Sequence, residues 1–273
     1  MKTQFGNILL RRRKELGFTQ EYIAKALHLS AQAISKWERG ETMPDILLLP
    51  ALADLLQTST DELLGHHRQY GKTVYADRYQ ADEFYWGLEP NEMCYDILRL
   101  KPPSQRRLVL DMGCGEGKDA VFLARCGYRA VGFDLAAESI AKAKWLGSQY
   151  PTAAAEFFRA DMLEYVPQQE YDILFASGVL HYLPPERRGA ILQEYQRCIR
   201  PGGLCALNVF VQKPFIPPPP DEEIDGGYWR SGELFSLFAD WKFHRCEEII
   251  FDCVSGGTLH QHVMDILIAE KIV

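Results

Sequence analysis

The stretch from Leu108 to Asp119 reads Leu-Val-Leu-Asp-Met-Gly-Cys-Gly-Glu-Gly-Lys-Asp and sets three apolar residues before a loop with alternating glycines. The apolar residues predict a buried strand, and the run Ala-Val-Phe-Leu-Ala over 120–124 predicts a helix after the loop. Glycine is needed where φ is positive or where the backbone lies against a ligand. The first turn of a helix also offers unpaired N–H groups. The stretch therefore predicts a strand–loop–helix unit that binds a nucleoside-type ligand.

The spacing of the glycines separates two classes of ligand. Dinucleotide-binding loops carry Gly-x-Gly-x-x-Gly, but Lys118 stands here at the position of the third glycine. Asp111 would repel a pyrophosphate and attract an ammonium group, such as that of S-adenosylmethionine (SAM). The pattern of apolar residues, Asp and alternating glycines resembles the first motif of class I SAM-dependent methyltransferases. This resemblance implies SAM as the cofactor, and a glycine-rich turn without a ligand is the alternative.

Three later segments follow in the order that this fold requires. Residues 129–134 predict a second strand that ends in Asp134, and an acid at this spacing binds ribose hydroxyls. Residues 157–162 predict a third strand, after which the resemblance implies an acid on the adenine amino group and an apolar residue on the ring. Residues 171–183 predict a fourth strand and a loop beneath the ligand. The cofactor-binding candidates are Asp111, Gly113, Cys114, Gly115, Gly117, Asp134, Leu135, Asp161, Met162 and Ser177.

The rest of the chain predicts a Rossmann-like α/β domain with a seven-stranded sheet. The motifs at 117–125 and 196–203 resemble the tellurite-resistance methyltransferase family, which methylates soft atoms or small molecules. A His-Arg pair that this family carries near its substrate has no clear counterpart here, which argues against a soft metalloid as the acceptor. The remaining predicted elements are a helix at 185–199, a turn at 200–203, a strand at 204–211, a helix at 231–240 and antiparallel strands near 242–253 and 262–271.

Methyl transfer from SAM needs alignment in a dry site more than it needs a protein nucleophile. His181, just beyond the fourth strand, is a candidate general base, and the alternative is that it only shapes the SAM pocket. Residues 77–86 predict a helix over the SAM site. Residues 215–220, Phe-Ile-Pro-Pro-Pro-Pro, predict either an acceptor-site lid or a surface linker. The other acceptor-side candidates are Tyr85, Trp86, Tyr182, Tyr228 and Trp229.

The first 65 residues predict a separate all-α domain of five helices. Gly17 and Gly40 stand where helices end, and Thr19 and Ser30 stand where N-caps are needed. Three residues, 28–30, join the second and third helices, which is the arrangement of a helix-turn-helix. The predicted helices cover 7–16, 20–27, 31–39, 44–56 and 60–64.

The run from Thr19 to Gly40 resembles the λ-repressor/Cro (Xre) family, most specifically through Ile-Ser-Lys-Trp-Glu-Arg-Gly at 34–40. In that family the start of the third helix enters the major groove, which implies double-stranded operator DNA as a partner. By position, Gln32 can contact adenine, whereas Gln20, Lys36 and Arg39 match phosphate contacts. The DNA-binding candidates are Gln20, Ala31, Gln32, Ser35, Lys36 and Arg39.

Charge bears on how this domain would bind DNA. Residues 1–65 hold eight Lys or Arg and eight Asp or Glu. A single copy is therefore expected to bind weakly, because affinity grows with the number of phosphates neutralised. We expect a homodimer that reads two half-sites. A helix-turn-helix used only for dimerisation is the alternative.

Length and composition bound the class of protein. With 273 residues, of which 47% are apolar, the chain is expected to form a DNA-binding domain at 1–65, a linker at 66–75 and a methyltransferase domain at 76–273. No apolar run approaches the roughly 20 residues of a membrane span, and no secretory leader is evident. We therefore expect a cytoplasmic protein with no membrane partner.

The cysteines bear on metal binding. Seven cysteines stand at scattered positions, and no two of them form a Cys-x-x-Cys pair. An odd, scattered set argues against a disulfide framework and against a zinc site. The sequence therefore predicts no metal, and Cys114 is interpreted as a small filler of the glycine loop.

Two functions remain open. The chain is either a small-molecule methyltransferase fused to a DNA-binding regulator domain, or a regulator whose methyltransferase fold senses SAM or S-adenosylhomocysteine. Methylation of DNA bases is disfavoured, because residues 176–179, Ala-Ser-Gly-Val, lack the Pro-Pro-aromatic and Pro-Cys motifs of DNA-methylating enzymes.

Overall fold

A computed structural model describes residues 4–56, 58, 60–64, 75–104, 107–217, 227–254 and 258–273. The chain divides into two compact units, within residues 1–70 and 71–273. Nearly all of the predicted linker at 66–75, and the last three prolines of the predicted lid, lie outside the described residues. Within the described ranges, no helix is both long enough and apolar enough to cross a membrane.

The first unit consists of short helices. In its described part these are α1 (Gln4–Glu15), α2 (Gln20–Ala26), α3 (Ala31–Arg39), α4 (Leu49–Leu55) and α5 (Thr60–Leu64). Thr19 caps α2 by accepting a hydrogen bond from the amide of Tyr22 (3.0 Å), and Ser30 caps α3 in the same way. Gly40 ends α3 in the left-handed conformation, with φ 74°. The helix-turn-helix that the sequence predicts is therefore formed.

The segment 44–56, predicted as one helix, divides in two. Asp45 caps a 3-10 helix at Ile46–Leu48 by accepting a hydrogen bond from the amide of Leu47 (2.8 Å). Pro50 lies in the first turn of α4, where its missing N–H has no helical partner to lose. The proline therefore favours a new helix start at Leu49 over continuation of the turn before it.

The core of the first unit is formed by side chains from all five described helices. Ile23 and Ile34 are fully buried and Trp37 nearly so, whereas Gln32 and Lys36 are exposed on the other face of α3. A Cβ at Gly6 would lie 2.5 Å from the carbonyl oxygen of Trp37. Glycine at this position therefore permits α1 and α3 to pack closely.

The second unit is built on one mixed sheet. Its described strands are β1 (Leu108–Met112), β2 (Arg129–Asp134), β3 (Ala154–Arg159), β4 (Tyr171–Ala176), β5 (Ile199–Val211), β6 (Lys242–Cys253) and β7 (His260–Glu270). They lie in the order β3-β2-β1-β4-β5-β7-β6. The first five strands are parallel, and β7 is antiparallel to both of its neighbours. The described α-helices are α6 (Glu92–Leu100), α7 (Lys118–Arg125), α8 (Ala137–Ser148), α9 (Arg188–Arg197) and α10 (Glu233–Ser236).

Both faces of this sheet are covered, which explains the continuous apolar runs in its strands. Along β1, Leu108 and Leu110 belong to one apolar core and Val109 to the core on the other face. Along β5, Cys205 and Ala206 alternate in the same way. The chain leaves β1 toward β3 and returns to β4 beside β1, so a cleft opens at the carboxyl ends of these two strands.

Three local predictions in this unit are wrong. Residues 77–86 form only a 3-10 turn at Arg78–Gln80, because Tyr79 is buried and its ring packs on that of Tyr75, with centroids 5.9 Å apart. Residues 200–203 lie inside β5 rather than in a turn, and the pairing of β5 with β4 is irregular there. The Pro-Gly-Gly run is thus accommodated as a local irregularity of a strand.

The third wrong prediction is the helix at 231–240. Only α10 is helical in that segment, because Gly232 adopts φ 76° and delays the start of the helix. After Ser236 the chain continues in turns, which bury Phe238 and most of Trp241. Burial of Phe238 and Trp241 in this turn conformation outweighs the local preference of residues 231–240 for a helix.

Candidate functional site

A cavity of about 840 Å³ follows the carboxyl edge of the sheet in the second unit. Small-molecule sites commonly fall between roughly 300 and 1,000 Å³. One part of its wall, the glycine-loop end, contains Asp111, Gly115 and Asp134. Another part, the histidine end, is formed by β5, β6, β7 and the loop after β4, and it contains His181 and His262.

The three loop glycines have different roles. A Cβ at Gly113 would lie 2.3 Å from the side chain of Val179, so this glycine permits the loop after β4 to approach. Gly115, with φ 51°, borders the cavity, and its Cβ would meet only the Tyr79 hydroxyl, at 3.4 Å. Gly117 does not line the cavity, and a Cβ there would lie 2.7 Å from Ala143 on α8. Only Gly113 and Gly115 therefore belong to the wall.

Two buried carboxyl groups stand at the glycine-loop end. Oδ2 of Asp111 has no hydrogen-bond partner among the described residues, and burial raises the pKa of Asp111 well above its ordinary value. Asp134 accepts hydrogen bonds from the amides of Gly115 (3.0 Å) and Ala136 (2.8 Å). Burial raises the pKa of Asp134 as well, although these amide hydrogen bonds oppose the shift. The pair gives this end a concentration of acidic groups.

The remaining cofactor-binding candidates also reach the cavity. Leu135, Asp161 and Met162 lie at the ends of β2 and β3 and line its wall. Ser177, after β4, accepts hydrogen bonds from the side chains of Asn91 (2.9 Å) and Asn208 (3.1 Å). Cys114 lines the wall as a buried thiol, and burial raises its pKa well above its ordinary value.

His181 is the most isolated polar side chain of the histidine end. It is 3% exposed, and neither of its ring nitrogens has a hydrogen-bond partner in the described part of the chain. Burial, with Arg188 and His262 nearby, lowers the pKa of His181 to about 4. The imidazole is therefore neutral at pH 7 and keeps a lone pair for a proton. Its ring packs on Tyr182 and Phe210, with centroids 4.1 Å and 5.4 Å away.

The acceptor-side candidates divide into two groups. Trp86 and Tyr182 line the cavity, whereas Tyr85, Tyr228 and Trp229 do not. Trp229 is buried away from it and donates its ring N–H to the carbonyl oxygen of Leu180 (3.1 Å). Sequence reasoning did not name six aromatic residues of the wall, which come from segments far apart in the chain: Tyr75, Tyr79, Phe133, Phe175, Phe210 and Phe251.

Sequence reasoning also missed a cluster of metal-ligand types. The ligand atoms of Cys253, His260 and His262 lie within 4.8 Å of one another. The prediction of no metal rested on the spacing of cysteines alone. The spacing of cysteines was not a sufficient criterion, because the pairing of β6 with β7 brings Cys253 close to His260 and His262.

Comparison with known proteins agrees with this geometry. Residues 109–203 match the family described as a methyltransferase domain, and residues 9–63 match the family described as helix-turn-helix. The chain joins a helix-turn-helix domain to a class I SAM-dependent methyltransferase domain.

Curated relatives match parts of the methyltransferase domain. Trans-aconitate 2-methyltransferase of an Azoarcus species is 31% identical over 116 residues, which cover 42% of this chain and 43% of the relative. The 2-heptyl-1-hydroxyquinolin-4(1H)-one methyltransferase of Mycobacteroides abscessus is 34% identical over 119 residues, with 43% and 50% covered. The chain thus spans half or less of these relatives.

Solved structures share the fold of this domain. TehB from Haemophilus influenzae is 19% identical and superposes with a TM-score of 0.59. The superposition covers 73% of this chain and 66% of TehB. Magnesium protoporphyrin IX methyltransferase from Synechocystis, solved with bound S-adenosylhomocysteine, is 14% identical, with 88% and 94% covered and a TM-score of 0.51. At these identities the comparison establishes the fold alone.

In the helix-turn-helix domain, the DNA-binding candidates differ in how available they are. Gln32 and Lys36 are exposed on α3, and Ala31 is partly exposed. Ser35 accepts a hydrogen bond from Arg39 (2.6 Å), and Arg39 also pairs with Glu41. Exposed ion pairs of this kind are weak, so the Arg39 guanidinium can exchange its partner for a phosphate.

Gln20 has a second role that the sequence did not indicate. Its side-chain amide donates to Oε2 of Glu38 (2.8 Å), which also accepts a hydrogen bond from Arg13 (3.1 Å). Burial raises the pKa of Glu38, but the hydrogen bonds from Arg13 and Gln20 outweigh it and leave the pKa lowered. Gln20 therefore joins α2 to a buried ion pair between α1 and α3.

Proposed function

We propose that the chain transfers a methyl group from SAM to a small-molecule acceptor, and that its helix-turn-helix domain binds operator DNA. The observation that carries the first part is the single cavity wall that holds the acidic glycine-loop end and the neutral His181. One end suits the cofactor, and the other offers a dry, aromatic acceptor site.

The glycine-loop end fits SAM in three respects. Oδ2 of Asp111, which has no hydrogen-bond partner among the described residues, is a buried acceptor that an ammonium group would satisfy. The open side of Gly115 leaves backbone exposed to the cavity where a Cβ would intrude. Asp134 presents a fixed carboxylate at the end of β2, the place of ribose-binding acids in such units. When bound, SAM supplies a methyl group already activated on a sulfonium.

The histidine end fits a small acceptor. Tyr182 and Phe210 supply the aromatic wall of this end, which excludes water and attracts a positively charged centre. His181 can take a proton from the acceptor, because its ring is neutral and has no other hydrogen-bond partner among the described residues. Shaping the cofactor pocket is its alternative role.

The names of the relatives agree with a small acceptor. Trans-aconitate and 2-heptyl-1-hydroxyquinolin-4(1H)-one are small molecules that carry oxygen atoms able to accept a methyl group. A cavity of about 840 Å³ suits an acceptor of this size beside the cofactor. We extend only the size class to this chain, and not either substrate.

Fusion to a helix-turn-helix domain favours a second candidate function. In that function, the methyltransferase fold senses SAM or S-adenosylhomocysteine and changes operator affinity, which requires different affinities of the ligand for the two DNA-binding states. Turnover on an acceptor separates the candidates, because a sensor needs none. Measurement of operator affinity with and without each ligand tests the coupling directly.

The first experiment is calorimetric titration of the full chain with SAM, S-adenosylhomocysteine and NAD. Binding of the first two without NAD is expected, and it justifies a screen of acceptors by release of S-adenosylhomocysteine. If neither SAM nor S-adenosylhomocysteine binds, both the enzyme function and the sensor function are refuted. Gly115→Val serves as the matched variant, because it fills the cavity wall and should abolish binding, whereas Gly189→Ala faces away from the cavity.

We further propose that the protein acts as a homodimer in the cytoplasm, where chromosomal DNA and SAM meet. Two copies would supply the second half-site and double the number of phosphate contacts. Ile46 and Leu47 are 76% and 83% exposed beside α4, which supports an apolar contact between copies. Sedimentation of the wild-type chain and of Leu47→Glu tests this, and a wild-type monomer at the concentration that saturates DNA would refute it.

A further inference from the structure

The hairpin of β6 and β7 brings three ligand-type side chains to the histidine end. Cys253 and His260 lie directly opposite each other across the antiparallel pair, and opposite residues share one face with Cβ atoms about 4.5–5.5 Å apart. His262 is two residues further along β7, so its side chain lies on that same face. The sulfur and the ring nitrogens consequently approach within 4.8 Å.

A backbone contact orients His260 for binding. Nδ1 of His260 donates to the carbonyl oxygen of Thr258 (2.7 Å), which leaves Nε2 with its lone pair. That Nε2 lies 2.9 Å from Nε2 of His262, which therefore carries the proton between the two rings. A carbonyl that fixes the outer nitrogen is the usual partner of a metal-binding histidine. A cation would replace the shared proton.

The donor set selects the kind of cation. Thiolate and imidazole ligands favour Zn²⁺ and related d-block ions over Mg²⁺ or Ca²⁺. Bonds of about 2.0–2.1 Å to nitrogen and 2.3 Å to sulfur place tetrahedral donors roughly 3.3–3.6 Å apart. The two nitrogens at 2.9 Å must separate slightly, and wider pairs, up to 4.8 Å, must close. Side-chain rotation is enough, because the backbone pairing already exists.

Three protein ligands leave one position of a tetrahedral ion open, as in catalytic zinc sites. Cys253 and His262 line the cavity, whereas His260 does not. The open position therefore faces the cavity. Phe210 and Phe251 pack against His262 at centroid distances of 5.0 Å and 5.6 Å and shield that side from bulk water. This surrounding suits a soft ligand better than a charged oxyanion.

We propose that Cys253, His260 and His262 bind one Zn²⁺-type cation, and that its open position takes a small thiol as the thiolate. The thiol loses its proton to solvent on coordination, because a metal-bound thiol is deprotonated. The metal site stands apart from the proposed methyl transfer.

The test uses the full chain, freed of metal with a chelator and titrated with Co²⁺ and then Zn²⁺. We expect one ion per chain, a thiolate-to-cobalt charge-transfer band, and displacement of Co²⁺ by Zn²⁺. Cys253→Ser should abolish the band. His262→Gln should weaken Zn²⁺ binding at least ~10–100-fold, since loss of an outer-shell partner alone has that effect. Cys246→Ser, on the exposed side of β6, is the matched control and should change nothing.

Three outcomes would overturn the proposal: no stoichiometric metal, a charge-transfer band that survives Cys253→Ser, or loss of the band in Cys246→Ser. Addition of 2-mercaptoethanol to the Co²⁺ form should shift the band, and an unchanged spectrum would refute the open thiol position. Calorimetry with SAM on the same samples checks that each variant is folded. It also separates the claims, because SAM binding without metal refutes this site alone, and metal without SAM binding refutes the proposed function alone.

Discussion

The amide of Gly115 donates a hydrogen bond of 3.0 Å to Oδ2 of Asp134, which ties the glycine loop after β1 to the end of β2. Oδ1 of the same carboxylate accepts from Ala136 (2.8 Å). A side chain held at both oxygens is positioned before a ligand arrives. The contact therefore fixes the carboxylate and holds the loop in shape, and in the proposed function this carboxylate binds the ribose hydroxyls of SAM.

Asp134→Asn should weaken SAM binding about 10–100-fold, because a hydrogen bond to a charged group contributes roughly 1.5–3 kcal/mol. Calorimetric titration measures the loss. Asp240→Asn, an exposed acid on the same domain, is the control and should bind as the wild type does. Equal affinity of Asp134→Asn and wild type, with both folded, would remove Asp134 from the cofactor site.

Asp111 should show opposite effects on stability and on binding. Burial raises the pKa of Asp111, and its Oδ2 has no hydrogen-bond partner among the described residues, so ionisation of this carboxyl costs more free energy in the folded state than in the unfolded state. This difference lowers the stability of the ligand-free protein at pH 7. Asp111→Asn should therefore raise the free energy of unfolding by about 1–3 kcal/mol while it weakens SAM binding.

Denaturant unfolding at pH 7, with and without SAM, measures both effects of Asp111→Asn. The ligand-free variant should unfold at higher denaturant than wild type, and added SAM should stabilise it less. A variant that loses stability without ligand would show that Asp111 is a structural group, in conflict with the assignment to the ammonium of SAM.

His181 should make the protein sensitive to acid. Its pKa is lowered to about 4 by burial and by Arg188 and His262, from an ordinary value of 6.5. Between these values the unfolded state binds a proton that the folded state does not, so stability falls as the pH falls from 6.5 toward 4. The full shift corresponds to about 3 kcal/mol.

His181→Gln removes this titration. The difference in unfolding free energy between variant and wild type should grow in favour of the variant as the pH drops through that window. Activity at pH 7 should fall if the imidazole accepts the proton of the acceptor, with a larger effect on kcat than on KM. A pH-independent difference in stability would show that the histidine titrates in its ordinary range.

Local signals made most of this architecture predictable. The run from Leu108 to Asp119 specifies its strand, loop and helix within twelve neighbouring residues, and Thr19, Ser30 and Gly40 mark the helix-turn-helix in the same way. Backbone geometry at such places depends on the residue itself, because caps and left-handed turns admit few residue types.

Only part of the histidine end could be predicted. His181 and Tyr182 follow β4 directly in the chain, but the other residues of this end come together only through pairing between distant segments. Phe210, Phe251 and His262 meet only when β5, β7 and β6 pair in register. Trp229 and Tyr228 looked equally suited to an acceptor site, but burial beside Arg188 takes the Trp229 ring out of the cavity. An aromatic residue in a sequence predicts that its side chain is largely buried, but it does not predict which core or cavity the side chain faces.

His28 marks a place where the helix-turn-helix stores strain. It adopts φ 56° after α2, in a turn closed by a hydrogen bond from the amide of Leu29 to the carbonyl oxygen of Ala24 (2.8 Å). Glycine is favoured at this position of a helix end, and other residues lose about 1–2 kcal/mol in the left-handed region.

His28→Gly should therefore raise the unfolding free energy of the helix-turn-helix domain by about 0.5–1 kcal/mol, since the greater freedom of glycine in the unfolded state offsets part of the gain. Calorimetry of the full chain measures the shift. His28→Ala is the matched control and should give no stabilisation, because alanine meets the same left-handed penalty. Equal stabilisation by both variants would show that the imidazole, and not the backbone, is unfavourable there.

Gln32 and Lys36 should separate sequence reading from phosphate binding. Both are exposed on α3, one turn apart. On an operator selected from random duplexes by the full chain, Gln32→Ala should lose about 1–3 kcal/mol and leave binding to random DNA unchanged. Lys36→Ala should weaken binding to both DNAs alike and reduce the slope of log affinity against log salt by about one for each copy bound.

Lys25→Ala removes an exposed lysine on α2 with the same change of charge, and it controls for the long-range electrostatic field of the domain. If Gln32→Ala weakened random and selected DNA equally, the amide would be a backbone contact, and base readout would have to come from another residue of α3.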